Sequence, residues 1–123
     1  MPAPISVIVP TLNAGAVLAQ CLHGLMEGLE AGLISELIVS DAGSEDESCA
    51  VADAWGAQIL SGPPSRGGQL RRGCAAAQGE WLLILHADTV LAPGWTRAVN
   101  APLGTADAGY FRLRFDRGGR AVA

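Results

Sequence analysis

Ile5-Ser6-Val7-Ile8-Val9-Pro10-Thr11-Leu12-Asn13 (ISVIVPTLN) decides the fold. Ile5, Val7, Ile8 and Val9 make a short β-branched run, and Pro10 ends it. A strand that is covered by helices on both faces reads this way, as strands of parallel sheets do. Outward from it, Leu18, Cys21, Leu22, Leu25 and Leu29 recur at helical spacing, with Asn13 placed as N-cap and Gly32 as stop. Glu36–Asp41 (ELIVSD) is a second apolar strand with a polar end. Ser44–Glu47 has the pattern of a capping box opening a helix that Gly56 closes. Gln58–Leu60 reads as a third strand, and Ser61–Gly68 (SGPPSRGG) as an irregular loop. Gln69–Gln78 is a helix with Leu70 and Cys74 on one face, ended by Gly79. Trp81–Leu85 (WLLIL) is the most hydrophobic strand and leads into His86-Ala87-Asp88-Thr89. A short helix near Trp95–Val99 follows. Tyr110–Asp116 then alternates apolar and polar residues, so an antiparallel or edge position is expected for it.

The order is β-α-β-α-β-α-β plus one alternating strand. It predicts a Rossmann-like α/β fold, a three-layer α/β/α sandwich around a mostly parallel sheet with right-handed crossovers. At 123 residues the chain is one domain, spanning 1–123. In such sheets ligands sit beyond the carboxyl ends of the strands. The polar clusters fall there: Thr11 and Asn13, Asp41, Arg66, then His86 and Asp88. They form one rim.

Composition narrows the chemistry. All eight basic residues are Arg, and the absence of Lys excludes a P-loop and Schiff-base or pyridoxal catalysis. Residues 1–60 carry a balance of -8 and residues 61–123 one of +4, giving the net -4. An anion could meet the second half. An acidic chain without a basic, aromatic-interleaved run does not read as a nucleic-acid binder. Cys21, Cys49 and Cys74 are widely spaced and form no C-x-x-C, so buried free thiols in a reducing cytoplasm are expected. No stretch approaches the ~18 apolar residues of a membrane helix, and residues 1–26 lack a basic leader region.

Each rim residue has a local explanation as well as a chemical one. Asp88 can bind a divalent ion or sit in a turn; His86 can contact a ligand or simply be a satisfied imidazole. Asp41 can accept from a ribose or base, or stabilise the turn before the next helix. Asp46, in a first helical turn, is assigned a structural role with the dipole. Arg66 can clamp phosphate oxygens, whereas Arg71 and Arg72 read as solvated. Residues 10–15 hold no G-x-G-x-x-G, which removes the fingerprint of a dinucleotide-binding domain.

Taken in order, three segments resemble the family 2 glycosyltransferases, nucleotide-sugar-binding enzymes of GT-A fold. They are Ile5–Asn13, Ser40–Asp46 (SDAGSED, similar to D-D-G-S-x-D apart from Ser40 and Ala42), and Arg66–Asp88. His86 stands in place of the first Asp of D-x-D, as in a subgroup with L-H-A-D-T. The resemblance implies a sheet of order 3-2-1-4, with strand 110–116 antiparallel nearby. It implies that Thr11, Asn13, Asp41, Arg66 and His86 bind a nucleoside-diphosphate sugar and that Asp88 holds Mn²⁺ or Mg²⁺. The expected reaction is sugar transfer, with inversion, to an acceptor that the sequence does not identify. Such enzymes are roughly twice as long, so the acceptor site and catalytic base are expected beyond the chain end, Asp107 and Asp116 reading as turn or surface residues. Self-association of the chain is expected too. Two rivals remain at this level: a sugar-phosphate nucleotidyltransferase, disfavoured by the lack of a basic residue in 10–15, and an inactive nucleotide-binding or self-associating module.

Overall fold

The computed structural model describes residues 5–96, together with the backbone of strand residues 114–115 and 120–122. Strands β1 (Ile5–Thr11), β2 (Ile34–Asp41), β3 (Gln58–Ser61) and β4 (Trp81–Ile84) form one parallel sheet of order β3-β2-β1-β4. This is the 3-2-1-4 order expected above. Helices α1 (Gly15–His23), α2 (Met26–Glu30), α3 (Ser48–Ala54) and α4 (Arg66–Ala76) connect the strands. β1 lies inside the sheet, and Ile5, Val7, Ile8 and Val9 are all essentially inaccessible to solvent. Around them Leu18, Leu22, Leu25, Ile38, Val39 and Leu85 complete the core. A second sheet of order β5-β7-β6 joins Val90–Leu91 (β5), Arg114–Phe115 (β6) and Arg120–Val122 (β7). β6 runs antiparallel to β7, and β7 parallel to β5. Of the alternating strand read over 110–116, residues 110–113 and 116 lie outside the described residues, as do 97–99 of the short helix that begins at Trp95.

Pro10 explains where β4 leaves the sheet. Leu85 N–H donates to Ile8 C=O, while Ala42 N–H donates to Thr11 C=O. The backbone groups of residues 8 and 10 therefore face β4, and those of 11 face β2. One more ladder step on the β4 side would need an N–H from residue 10, which proline lacks. Pairing stops at Ile8–Ile84, and the chain is released into the His86–Thr89 turn.

Several local expectations gave way to longer-range contacts. The helix expected to run through Leu29 is divided at Gly24, whose carbonyl accepts the Trp95 indole N–H at 3.0 Å. Gly28 leaves the room for that indole: a Cβ there would lie 2.7 Å from its ring. Asn13 is not the N-cap of α1. It takes a left-handed conformation (φ 51°), and Ala14 occupies the cap without a side-chain bond. Asp46 and Ser48 do the capping instead, accepting from Gly15 N–H at 2.9 Å and Ala14 N–H at 2.8 Å. The capping box at Ser44 does not form either, because that hydroxyl serves Asp41, and α3 starts at Ser48. Helix α4 begins three residues earlier than expected, with Ser65 as N-cap accepting from Gly68 N–H at 3.2 Å. Its buried face carries Gln69 and Gly73, not Leu70 and Cys74. A Cβ on Gly73 would come within 2.6 Å of Ile8 Cγ2, so glycine lets α4 lie directly on β1.

Candidate functional site

The parallel arrangement brings the carboxyl ends of β1, β2 and β4 to one edge. A cavity of about 590 Å³ opens there, lined by Thr11, Asn13, Arg66, Gln69, His86 and Asp88 among others. Five of the six residues proposed from sequence thus share one concavity. Asp41 is not on its wall.

Asp41 lies beneath the rim, 2% exposed, with both oxygens occupied. Oδ1 accepts from Thr11 Oγ1 at 2.6 Å and Ser44 Oγ at 2.5 Å. Oδ2 accepts from Gly43 N–H at 2.9 Å and Ser44 N–H at 2.7 Å. Burial pushes the carboxyl up, but the bonds from Ser44, Thr11 and Gly43 outweigh it and hold the group below the ordinary carboxylate range. Ser44 extends the network, its hydroxyl accepting Asn13 N–H at 2.8 Å, while Asn13 Oδ1 accepts Glu45 N–H at 2.8 Å. The left-handed turn at Asn13 is thereby held from the β2–α3 loop, 31 and 32 residues along the chain. Asp41 shapes the wall through Thr11 and Ser44.

The opposite wall is the start of α4. Arg66 is its first residue and is exposed, and the first turn holds no acid. A guanidinium at the positive end of an 11-residue helix leaves that corner uncompensated, which suits an anion. Arg72, expected to be solvated, instead donates to Pro63 C=O at 3.2 Å, with its Nε buried.

His86 and Asp88 come from the turn after β4. Thr89 N–H donates to His86 C=O at 3.0 Å, and the Cys21 thiol donates to the same carbonyl at 3.6 Å. Burial, with the Asp88 charge second, pushes the Cys21 thiol up to about 12, so it stays a neutral donor. Burial and then the Asp41 charge also raise Cys49. All three cysteines are free, as expected, although Cys49 and Cys74 are only half-buried. Asp88 projects exposed while Thr89 is buried, which anchors the turn. Among the described residues no three His, Cys, Asp or Glu side chains converge as a metal cage. One exposed carboxylate beside a cavity fits an Mg²⁺- or Mn²⁺-like ion that takes its other ligands from water and substrate phosphates.

The roles of Gln69, Ser48 and Ser65 escaped the sequence reading, and Ser44, read there as the start of a capping box, serves Asp41 instead. Besides local bonds, Ser44, Ser48 and Gln69 each have a partner far along the chain, Asn13, Ala14, and Thr11 with Ser40 respectively, whereas Ser65 caps its own helix. The signal for Gln69 was its i, i+4 spacing to Gly73 on the helix face pressed to the sheet.

Comparison with known proteins agrees with this geometry. A PGL/p-HBAD biosynthesis glycosyltransferase from Mycobacterium bovis (strain BCG) is 35% identical over 99 residues, covering 74% of this chain and 38% of that protein. Glucosyl-3-phosphoglycerate synthase of Mycobacterium tuberculosis is 33% identical over 95 residues, covering 70% of this chain and 29% of its own. A crystal structure of that synthase with Mn²⁺ and uridine-diphosphate-glucose superimposes with a TM-score of 0.71 at 30% identity, covering 85% of this chain and 40% of the other. Another holds Mg²⁺ and uridine diphosphate. The chain therefore spans less than half the length of these relatives. The sheet order, the rim at its carboxyl edge and the fold shared with that synthase agree with the family model for glycosyl transferase family 2, which matches residues 6–119; the chain belongs to that family.

Proposed function

We propose that the chain forms the donor-binding part of a glycosyltransferase, taking a nucleoside-diphosphate sugar, with uridine diphosphate as its nucleotide, and passing the sugar to an acceptor with inversion. One observation carries the reading: Asn13, Arg66, His86 and Asp88 line a single cavity at the carboxyl edge of a parallel sheet. The solved relatives that bind uridine diphosphate with Mn²⁺ or Mg²⁺ support the choice of nucleotide and ion.

In this reading the Thr11–Asn13 turn receives the nucleoside, held in shape by Asp41 and Ser44 from behind. Arg66 and the amino end of α4 face the diphosphate. Asp88 would hold the divalent ion, with His86 beside it as a hydrogen-bonding neighbour. When bound, such an ion neutralises the charge that collects on the departing diphosphate. Arg66 acts in the same direction by charge-assisted hydrogen bonds, each worth about 1.5–3 kcal/mol. Calorimetric titration with uridine diphosphate and Mn²⁺ tests this. Arg66→Ala is expected to weaken binding by about tenfold or more, since ~1.4 kcal/mol is one decade. Unchanged affinity in that variant contradicts the assignment of Arg66.

A further inference from the structure

Gln69 sits where three elements meet. It is 7% exposed, on the face of α4 that packs on the sheet. Its Nε2 donates to Thr11 C=O and to Ser40 C=O, both at 3.0 Å. Its Oε1 accepts Ser65 N–H at 3.3 Å. The partners fix the amide's orientation, because a flip would set its carbonyl against two carbonyls and its NH₂ against an N–H. One side chain thus ties the last turns of β1 and β2 to the residue that caps α4. Ser65 completes the arrangement by accepting Gly68 N–H, a reciprocal cap like a capping box drawn out by one residue.

We propose that Gln69 is a positioning residue that fixes the first turn of α4, and with it Arg66, against the Thr11–Asn13 wall of the cavity. Arg66 is one helical turn before Gln69 on the same face, and both line the cavity. Among the described residues no other side-chain hydrogen bond joins the start of α4 to the sheet, and glycines at 67 and 68 give that turn little stiffness of its own. Without the tether a guanidinium carried there would sample many positions, and binding an anion would have to order it. The consequence for nucleotide affinity rests on the donor-binding reading above; the consequence for the helix start does not.

Two variants of the full chain separate tethering from space-filling. Gln69→Met keeps length and bulk but removes every hydrogen bond. Gln69→Glu keeps the shape but sets a carboxylate against two carbonyls, which raises its pKa; protonation at lower pH restores one donor. With Gln69→Met, amide exchange at Ser65 and Gly68 is expected to quicken at least tenfold, with Val7 and Val9 unchanged. Affinity for uridine diphosphate with Mn²⁺ is expected to fall about tenfold at pH 8. For Gln69→Glu the loss relative to wild type at pH 8 should shrink at least threefold at pH 5, while for Gln69→Met the ratio stays flat. Unchanged exchange at Ser65 and Gly68 in Gln69→Met, or a flat ratio in Gln69→Glu, overturns the proposal. If the wild type binds no uridine diphosphate, the donor reading fails, and exchange in the two variants, read at both pH values, still decides the role of Gln69. If Gln69→Met does not fold, the pH dependence of exchange in Gln69→Glu decides it in the same way.

Discussion

Asp41 receives four hydrogen bonds on two oxygens while almost inaccessible to solvent. An Asn in its place would turn an NH₂ toward hydrogens that are already donated, leaving buried donors unmet. Asp41→Asn is therefore expected to lower stability by about 1–3 kcal/mol near neutral pH, read from urea midpoints. The sign of the pH dependence follows from the depressed native pKa. The carboxylate contributes stability above its unfolded value of about 3.9 and loses it as pH falls through the native value. The variant should accordingly show a shallower loss below about pH 4; an equally steep loss contradicts the assignment. That residues at the ends of the strands would cluster was legible from the sequence, since strand order and direction place them. Which would line the cavity and which would support it was not. Asp46, read as favouring its own helix, caps another helix through Gly15, 31 residues away. A local capping pattern and a distant one draw on the same side chains, and only tertiary structure shows which wins.

At the scale of elements, the four parallel strands were legible as short apolar runs, although only β1 is buried almost throughout, while β3 is partly open to solvent and Leu82 and Ile84 of β4 are exposed. Helix starts were less so. Ser44 and Asn13 are good caps by type, but the Asp41 network claims the first, and its partners hold the second in a left-handed turn. The two-residue strand β5 is too short to show a period. Helix α4 shows packing overriding propensity. Alanine at position 73 would favour the helix by about 1 kcal/mol, yet its Cβ would meet Ile8, a β-branched residue with no exposed surface. Overpacking of this kind costs about 1–3 kcal/mol, so Gly73→Ala is expected to destabilise the protein by roughly 1 kcal/mol net. Thermal unfolding reads this directly, and a rise in melting temperature would show that α4 can move off the sheet freely.

Over the whole molecule, the acidic first half and the Arg-bearing second half meet at the rim, and the structure shows how they coexist. Asp41 and Asp46, from the acidic half, are taken up by hydrogen bonds within the scaffold. Arg66 and Asp88, from the second half, remain exposed on the cavity wall. The scaffold thus absorbs negative charge and presents one cationic corner and one carboxylate, the pair that a metal-bound diphosphate requires. The net charge did not reveal this division, because it depends on which carboxylates find donors. The central claim is that Asp88 and a nucleoside diphosphate together hold a divalent ion at this edge. Electron paramagnetic resonance of Mn²⁺ reads it most directly, as the free-ion signal disappears on binding. The account predicts a loss of that signal on adding both protein and uridine diphosphate, beyond the loss with either alone, and a return toward the nucleotide-only level in Asp88→Asn. A ternary signal loss that survives Asp88→Asn unchanged would contradict it.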